Sequence, residues 1–133
     1  MSVGLLLITH EGIASSLLET ANKMLGTYPA DIKAIEVPLD APVENIRAEA
    51  EKYIHEIDRG EGILILTDLY GSTPSNIGCD LLETNNTRLV AGINLPMLVR
   101  VLNYSELNLD ELTIKAETGG TDGIIQCRCK NTI

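Results

Sequence analysis

Two short runs of aliphatic residues constrain the fold of this chain more than any other feature. Val3 to Thr9 reads VGLLLIT and Ile63 to Thr67 reads ILILT, and each has the length of a single strand without polar alternation. A strand that is apolar on both faces must be covered on both faces, which is typical of a parallel sheet between helices. The chain contains no Phe and no Trp, so aliphatic side chains must fill the interior.

Segments with helical spacing of apolar residues separate the strand-like runs. Pro74 occupies a position that the first turn of a helix tolerates, and Gly26 is suited to ending the first helix. The predicted strands are Val3 to Thr9, Ile32 to Val37, Ile63 to Thr67, Arg88 to Ala91 and Gly123 to Cys129. The predicted helices are Gly12 to Leu25, about Val43 to Ile57, Pro74 to Glu83, Pro96 to Asn103 and Leu109 to Glu117.

The alternation of strands and helices predicts one α/β domain over residues 1–133. Right-handed crossovers lead to a doubly wound, mostly parallel sheet in the common order 2-1-3-4, with helices on both faces. In that order strands one and three are neighbours whose connections leave in opposite directions, and ligands bind at the carboxyl ends of such strands. His10 ends strand one and Asp68 ends strand three, so we expect the two side chains to meet there.

A histidine beside a carboxylate suits the transfer of a phosphoryl group. The carboxylate fixes the tautomer through one ring nitrogen and leaves the other as a nucleophile, which predicts His10 and Asp68 as catalytic residues. The turn Gly71, Ser72 and Thr73 leads into a helix N-terminus, where unpaired N–H groups form an anion site. We therefore predict these three residues as phosphoryl-binding. The second histidine, His55, lies outside the apolar stripe of its helix and is predicted to be a solvated surface residue.

Several other classes of protein are disfavoured. The formal net charge of −9 opposes binding to nucleic acid. No apolar run approaches the roughly 18 residues of a membrane span, and the N-terminus lacks a basic leader region, so a cytoplasmic protein is expected. His10 and Asp68 are too few ligands for a predicted metal site, and the three cysteines lack C-x-x-C spacing. No nucleotide motif G-x-x-x-x-G-K-[ST] is present, and no cofactor is predicted.

Four segments, in order along almost the whole chain, resemble one known family: ITHEGIASSLLETANKMLG, GILILTDLYGSTPSN, VAGINLPML and ETGGTDGI. The family is that of the mannose-type IIA components of the bacterial phosphoenolpyruvate-dependent sugar phosphotransferase system. The resemblance implies a histidine phosphotransferase in which His10 is phosphorylated, Asp68 is its carboxylate partner and Ser72 helps to hold the phosphoryl group.

The resemblance also implies partners. The phosphoryl group would arrive from the phosphocarrier HPr and leave to a IIB component linked to membrane IIC and IID subunits, without a metal or nucleotide. Family members form homodimers in which the last strand is exchanged, which here would be an antiparallel edge strand from Gly123 to Cys129. The chain stops at Ile133 without a IIB domain. We therefore expect a separate IIB protein.

Three alternatives stay open at this point. The chain is a regulatory module whose His10 phosphorylation state controls a partner protein, or it is the related phosphoryl-transfer subunit of a dihydroxyacetone kinase. The third alternative is a flavodoxin-like protein that binds a small ligand, although no motif predicts that ligand.

Overall fold

Four strands and five helices alternate along the part of the chain that the computed structural model describes, residues 2–26, 31–82 and 86–128. The strands are β1 (Gly4–His10), β2 (Ile32–Val37), β3 (Ile63–Thr67) and β4 (Thr87–Ala91). The helices are α1 (Ile13–Leu25), α2 (Val43–Ile57), α3 (Thr73–Asp80), α4 (Leu95–Asn103) and α5 (Leu109–Asp122). The third helix ends at Asp80, earlier than its predicted end at Glu83, a residue that lies outside the described part of the chain.

The four strands form one parallel sheet in the order β2-β1-β3-β4, which confirms the predicted order and fold class. β1 is central, and its Ile8 pairs with Thr67 of β3 while His10 pairs with Val37 of β2. Because all four strands are parallel, their carboxyl ends and the starts of the helices that follow lie at one edge. We call this the carboxyl edge of the sheet.

Helices cover both faces of the sheet, so the apolar runs are buried on both sides. Alternate residues of β1 divide between two cores, with Leu5 and Leu7 in one and Leu6 and Ile8 in the other. The first core contains side chains of α1, α4 and α5, and the second contains side chains of α2 and α3. The sheet is therefore a rigid platform that fixes the carboxyl edge.

Glycines allow α4 and α5 to pack closely. A Cβ atom at Gly119 would lie 2.9 Å from Cβ of Arg100, and one at Gly120 would lie 2.8 Å from Cε of Met97. Asn94, at the start of α4, donates a hydrogen bond to the Gly120 carbonyl at 3.1 Å. The segment ETGG is thus a helix contact, which explains two glycines inside a helix.

The C-terminal region differs in part from the predicted elements. α5 continues past Glu117 to Asp122, and Gly123 lies at its end rather than at the start of a strand. Residues 124–128 form no regular secondary structure within this single chain, and the Ile124 and Ile125 side chains are exposed. Cys129 lies outside the described residues. The exchanged edge strand therefore stays a prediction.

Over the described residues, no helix combines the length and the apolar character that crossing a bilayer requires.

Candidate functional site

His10 and Asp68 meet at the carboxyl edge of the sheet, as the strand order requires. His10 is the last residue of β1, and Asp68 directly follows β3, the neighbouring strand. The two backbones are held in register by the pairing of Ile8 with Thr67. The backbone of the sheet, rather than a mobile loop, therefore sets the distance between the two side chains.

The contact between the two side chains is short. Nδ1 of the His10 ring lies 2.7 Å from Oδ2 of Asp68, and the same oxygen accepts the His10 backbone N–H at 2.9 Å. The other oxygen, Oδ1, accepts the backbone N–H of Leu69 at 3.0 Å. Both carboxylate oxygens are thus engaged, and the carboxylate has one fixed orientation toward the ring.

Asp68 is ionised at neutral pH. Burial on its own raises the pKa of this carboxyl, but the hydrogen bonds from the His10 backbone and ring outweigh it, so the pKa lies below its ordinary value. An ionised Asp68 accepts a hydrogen bond from Nδ1–H, which selects the tautomer of His10 with the proton on Nδ1. Nε2 then keeps its lone pair, and no described residue forms a hydrogen bond with it. The ring is 34% exposed, so this nitrogen can be approached from solvent.

The predicted phosphoryl-binding turn follows Asp68 at the same edge. Gly71 has φ of 88°, a left-handed conformation that glycine adopts without strain, and its N–H bonds to Oγ of the buried Ser75 at 3.3 Å. Ser72 precedes α3, and its hydroxyl donates to the Leu69 carbonyl at 2.6 Å. Thr73 is exposed at the start of α3. None of the three forms a hydrogen bond with His10.

The N-terminus of α3 has free donors. Ser72 makes no side-chain capping bond, and Pro74 has no N–H. Among the described hydrogen bonds, none uses the backbone N–H of Thr73 or Ser75. An anion at this helix end would meet two unpaired donors and the positive end of the helix dipole.

Five exposed apolar side chains lie at the carboxyl edge. They belong to the loops and first turns that follow the three strands nearest the site: Ile13, Leu39, Val43, Leu69 and Tyr70. Leu39 is 96% exposed and Tyr70 is 76% exposed. We call this group the apolar collar. Sequence analysis did not identify it, because its members lie in loops or at helix starts, where apolar residues show no regular spacing.

Sequence analysis also missed residues that hold the backbone of the site. Thr9 is fully buried, and its hydroxyl donates to the His10 carbonyl at 2.8 Å. Glu36, near the end of β2, accepts two hydrogen bonds from Ser15. No local pattern points to Glu36, because its partner belongs to a different element. His55 is exposed on α2, as predicted, and lies away from the site.

Within the described ranges, no three His, Cys, Asp or Glu side chains are grouped so that they could hold a metal ion.

The chain is similar to proteins of one sugar phosphotransferase system. The family model EIIA-man, described as PTS system fructose IIA component, matches residues 4–117. The PTS system mannose-specific EIIAB component of Escherichia coli K12 is 29% identical over 98% of this chain and 41% of its own length. The chain thus spans about two fifths of that relative.

Two further similarities concern a regulator and a solved structure. The transcriptional regulatory protein LevR of Bacillus subtilis is 30% identical over 80% of this chain and 12% of its own length. The mannose/sorbose-specific IIA subunit from Enterococcus faecalis has the same fold, with a TM-score of 0.85, 24% identity and 97% of each chain covered.

Proposed function

This chain belongs to the EIIA-man family of phosphotransferase-system IIA components, and on that premise we propose that it is a phosphocarrier that uses His10. It accepts a phosphoryl group from phospho-HPr and passes it to a IIB component for sugar uptake. The observation that carries the proposal is the 2.7 Å contact between Nδ1 of His10 and Asp68. That contact leaves Nε2 as the exposed nucleophile.

The transfer needs only groups that the chain supplies. The lone pair of Nε2 forms a bond to phosphorus as the bond between phosphorus and the donor histidine of HPr breaks. The ring then gains positive charge, which the ionised Asp68 stabilises through Nδ1–H. The phosphoryl oxygens would be met by the free N–H groups at the start of α3 and by the turn of Gly71, Ser72 and Thr73. Transfer to IIB reverses these steps.

The apolar collar supports a protein partner over a small metabolite. A phosphohistidine donor must bring its own histidine to Nε2, so its surface has to cover the carboxyl edge around His10. Exposed side chains such as Leu39 and Tyr70 would be buried by such a partner. HPr and IIB would use this surface in turn, and IIB would connect the chain to membrane IIC and IID subunits. The chain would then act in the cytoplasm.

The C-terminal segment supports a homodimer. The exposed Ile124 and Ile125 are not covered by their own chain. An exchanged segment from Gly123 to Cys129 would bury them, and β4 offers the outer edge of the sheet for antiparallel pairing.

A test of His10 uses purified phosphoenolpyruvate, enzyme I and HPr with intact mass measurement. We expect wild type to gain one acid-labile phosphoryl group and His10→Ala to gain none. His55→Ala is the matched control, since it removes the other, exposed histidine, and it should gain the group normally. Equal labelling of wild type and His10→Ala would refute the proposal.

A second function, a regulatory module, is favoured by the similarity to LevR over 80% of this chain. In that role the phosphorylation state of His10 would control a partner instead of feeding sugar transport. Adding a IIB component to the phosphorylated chain separates the two roles. Phosphoryl appearing on IIB supports the carrier, and phosphoryl remaining on His10 supports the regulator. Transfer of the phosphoryl group to a dihydroxyacetone kinase system, instead of to IIB, would indicate the related phosphoryl-transfer subunit.

A further inference from the structure

The helix that follows His10 begins without a cap from its own sequence. Gly12 occupies the N-cap position with φ of 89° and has no side chain to accept a hydrogen bond. The first N–H groups of a helix have no partner within it, so α1 needs acceptors from elsewhere. Only Glu11 and Gly12 separate His10 from α1, and the start of α1 therefore affects where His10 lies.

Glu36 of β2 provides the missing acceptor. Its Oε2 accepts the Ser15 backbone N–H at 2.8 Å and the Ser15 hydroxyl at 2.8 Å. These two bonds from Ser15 hold the pKa of Glu36 below its ordinary value, although burial on its own would raise it. One carboxylate of β2 thus holds the first turn of α1.

Thr9 holds the other side of the same turn. Its hydroxyl accepts the Ala14 N–H at 3.1 Å and donates to the His10 carbonyl. The His10 N–H is bonded to Asp68. The backbone of His10 is therefore fixed by Asp68 and Thr9, and the first turn of the helix that follows it is held by Glu36 through Ser15.

We propose that Glu36 is a positioning residue for His10, which acts through Ser15 in the first turn of α1. It also fills that helix end with a carboxylate of the protein itself. The N-terminus of α1, although adjacent in sequence to His10, is thereby closed to phosphoryl oxygens, and these are directed to the open N-terminus of α3. The inference rests on the proposed phosphorylation of His10.

The first arm of the test needs no phosphorylation. In wild type, ¹⁵N NMR of the imidazole should show the tautomer with the proton on Nδ1. Glu36→Ala should populate the second tautomer, because the ring is no longer held against Asp68. Glu36→Gln should restore the wild-type spectrum, since its amide oxygen can accept the Ser15 bonds. Glu51→Ala removes an exposed carboxylate of α2 and serves as the matched control.

The second arm measures phosphorylation by phospho-HPr. Glu36→Ala should lower kcat about tenfold and leave KM unchanged, because the variant misplaces the ring without altering the apolar collar. Glu36→Gln should recover most of kcat, and Ser15→Ala, which keeps the backbone bond, should lose less than Glu36→Ala. A wild-type tautomer and kcat in Glu36→Ala, or no recovery in Glu36→Gln, would overturn the inference.

The two proposals fail in different ways. If wild type takes no phosphoryl group, the phosphocarrier proposal fails, and the tautomer measurement still decides whether Glu36 positions His10. If wild type is phosphorylated and Glu36→Ala matches it in both arms, only the positioning role fails.

Discussion

At the scale of single residues, Asp68 combines a structural and a chemical task. Its carboxylate accepts hydrogen bonds from the backbone N–H groups of His10 and Leu69 and also contacts the His10 ring. Asp68→Asn keeps the size of the side chain but cannot stabilise the charged ring. We expect a folded variant whose rate of phosphorylation falls on the order of 10- to 100-fold, the range seen when a metal-ligating histidine loses its hydrogen-bond partner. Quenched-reaction mass measurement gives this rate, and a wild-type value would make Asp68 purely structural.

The same carboxylate predicts a dependence of stability on pH. Because its pKa is lower in the folded chain than in the unfolded one, ionised Asp68 stabilises the fold at neutral pH. This contribution is fully present above the ordinary Asp value of about 4 and is lost as the pH falls through the lower folded value. Urea unfolding at several pH values should therefore show the difference between wild type and Asp68→Asn narrowing only below about pH 4. A constant difference down to strong acid would contradict the prediction.

Two buried threonines at neighbouring strand ends form a matched pair. Thr67 Oγ1 has no hydrogen-bond partner among the described residues, whereas the Thr9 hydroxyl has two. Thr67→Val should raise the free energy of unfolding by about 1 kcal/mol, since it removes a buried polar group that gains nothing in the fold. Thr9→Val should lower it by roughly 1–3 kcal/mol. Chemical unfolding followed by circular dichroism measures both, and equal effects of the two substitutions would contradict this account.

The contact between His10 and Asp68 could be predicted from the sequence, but the role of Glu36 in holding the start of α1 could not. His10 and Asp68 each end an apolar strand, and the order of a doubly wound sheet places those ends side by side. Glu36 looks like one more polar residue in a half-exposed strand, because its partner Ser15 belongs to another element, α1. Contacts between side chains of different elements follow from the packed structure and leave no periodic trace in the sequence.

At the scale of elements, the contact between α4 and α5 depends on Gly119. In an isolated helix Gly119→Ala would be favourable by about 1 kcal/mol. Here the new methyl group would meet Cβ of Arg100 at 2.9 Å, an atom that moves only with its helix. We expect the clash to dominate and the free energy of unfolding to fall by about 1–2 kcal/mol.

Exposed Thr118, one residue earlier on the same helix, provides a control position. Thr118→Ala has no such neighbour to displace and should be neutral or slightly stabilising. If Gly119→Ala is instead stabilised in thermal or urea unfolding, α4 and α5 can move apart without lowering the free energy of unfolding, and the prediction is wrong.

The helix and strand positions were predicted well where apolar residues repeat regularly, as in β3 and α2. The end of α5 was predicted too early, because Gly119 and Gly120 have low helix propensity and suggest a stop. Packing against Met97 and Arg100 outweighs that preference. The extra length of α5 therefore depends on contacts with α4, which the helix propensities of the α5 residues do not reflect.

At the scale of the whole molecule, the proposed dimer makes a prediction about the C-terminal segment. A stop codon after Gly123 removes residues 124–133, and their described part packs no buried side chain into its own chain. We expect the truncated protein to fold and to sediment as a monomer, while the full chain sediments as a dimer. Sedimentation velocity measures both, and a dimeric truncated chain would place the interface elsewhere.

The sheet order followed from general rules on crossovers, because it depends only on the alternation of elements within one chain. The conformation of residues 124–128 does not follow in this way. If another copy supplies their hydrogen-bond partners, no sequence pattern within one chain predicts where these residues pair. The aliphatic side chains of Ile124 and Ile125 indicate only that another surface buries them.

The 34% exposure of the His10 side chain also limits how long a phosphoryl group on it would survive. If His10 is phosphorylated as proposed, its phosphoramidate is open to water whenever no partner covers it, and hydrolysis then competes with delivery between encounters. Such a position suits rapid transfer of a phosphoryl group and is poorly suited to keeping it for long. The quantity that would describe the performance of this protein is the ratio between the lifetime of its phosphorylated form and the waiting time for the next acceptor.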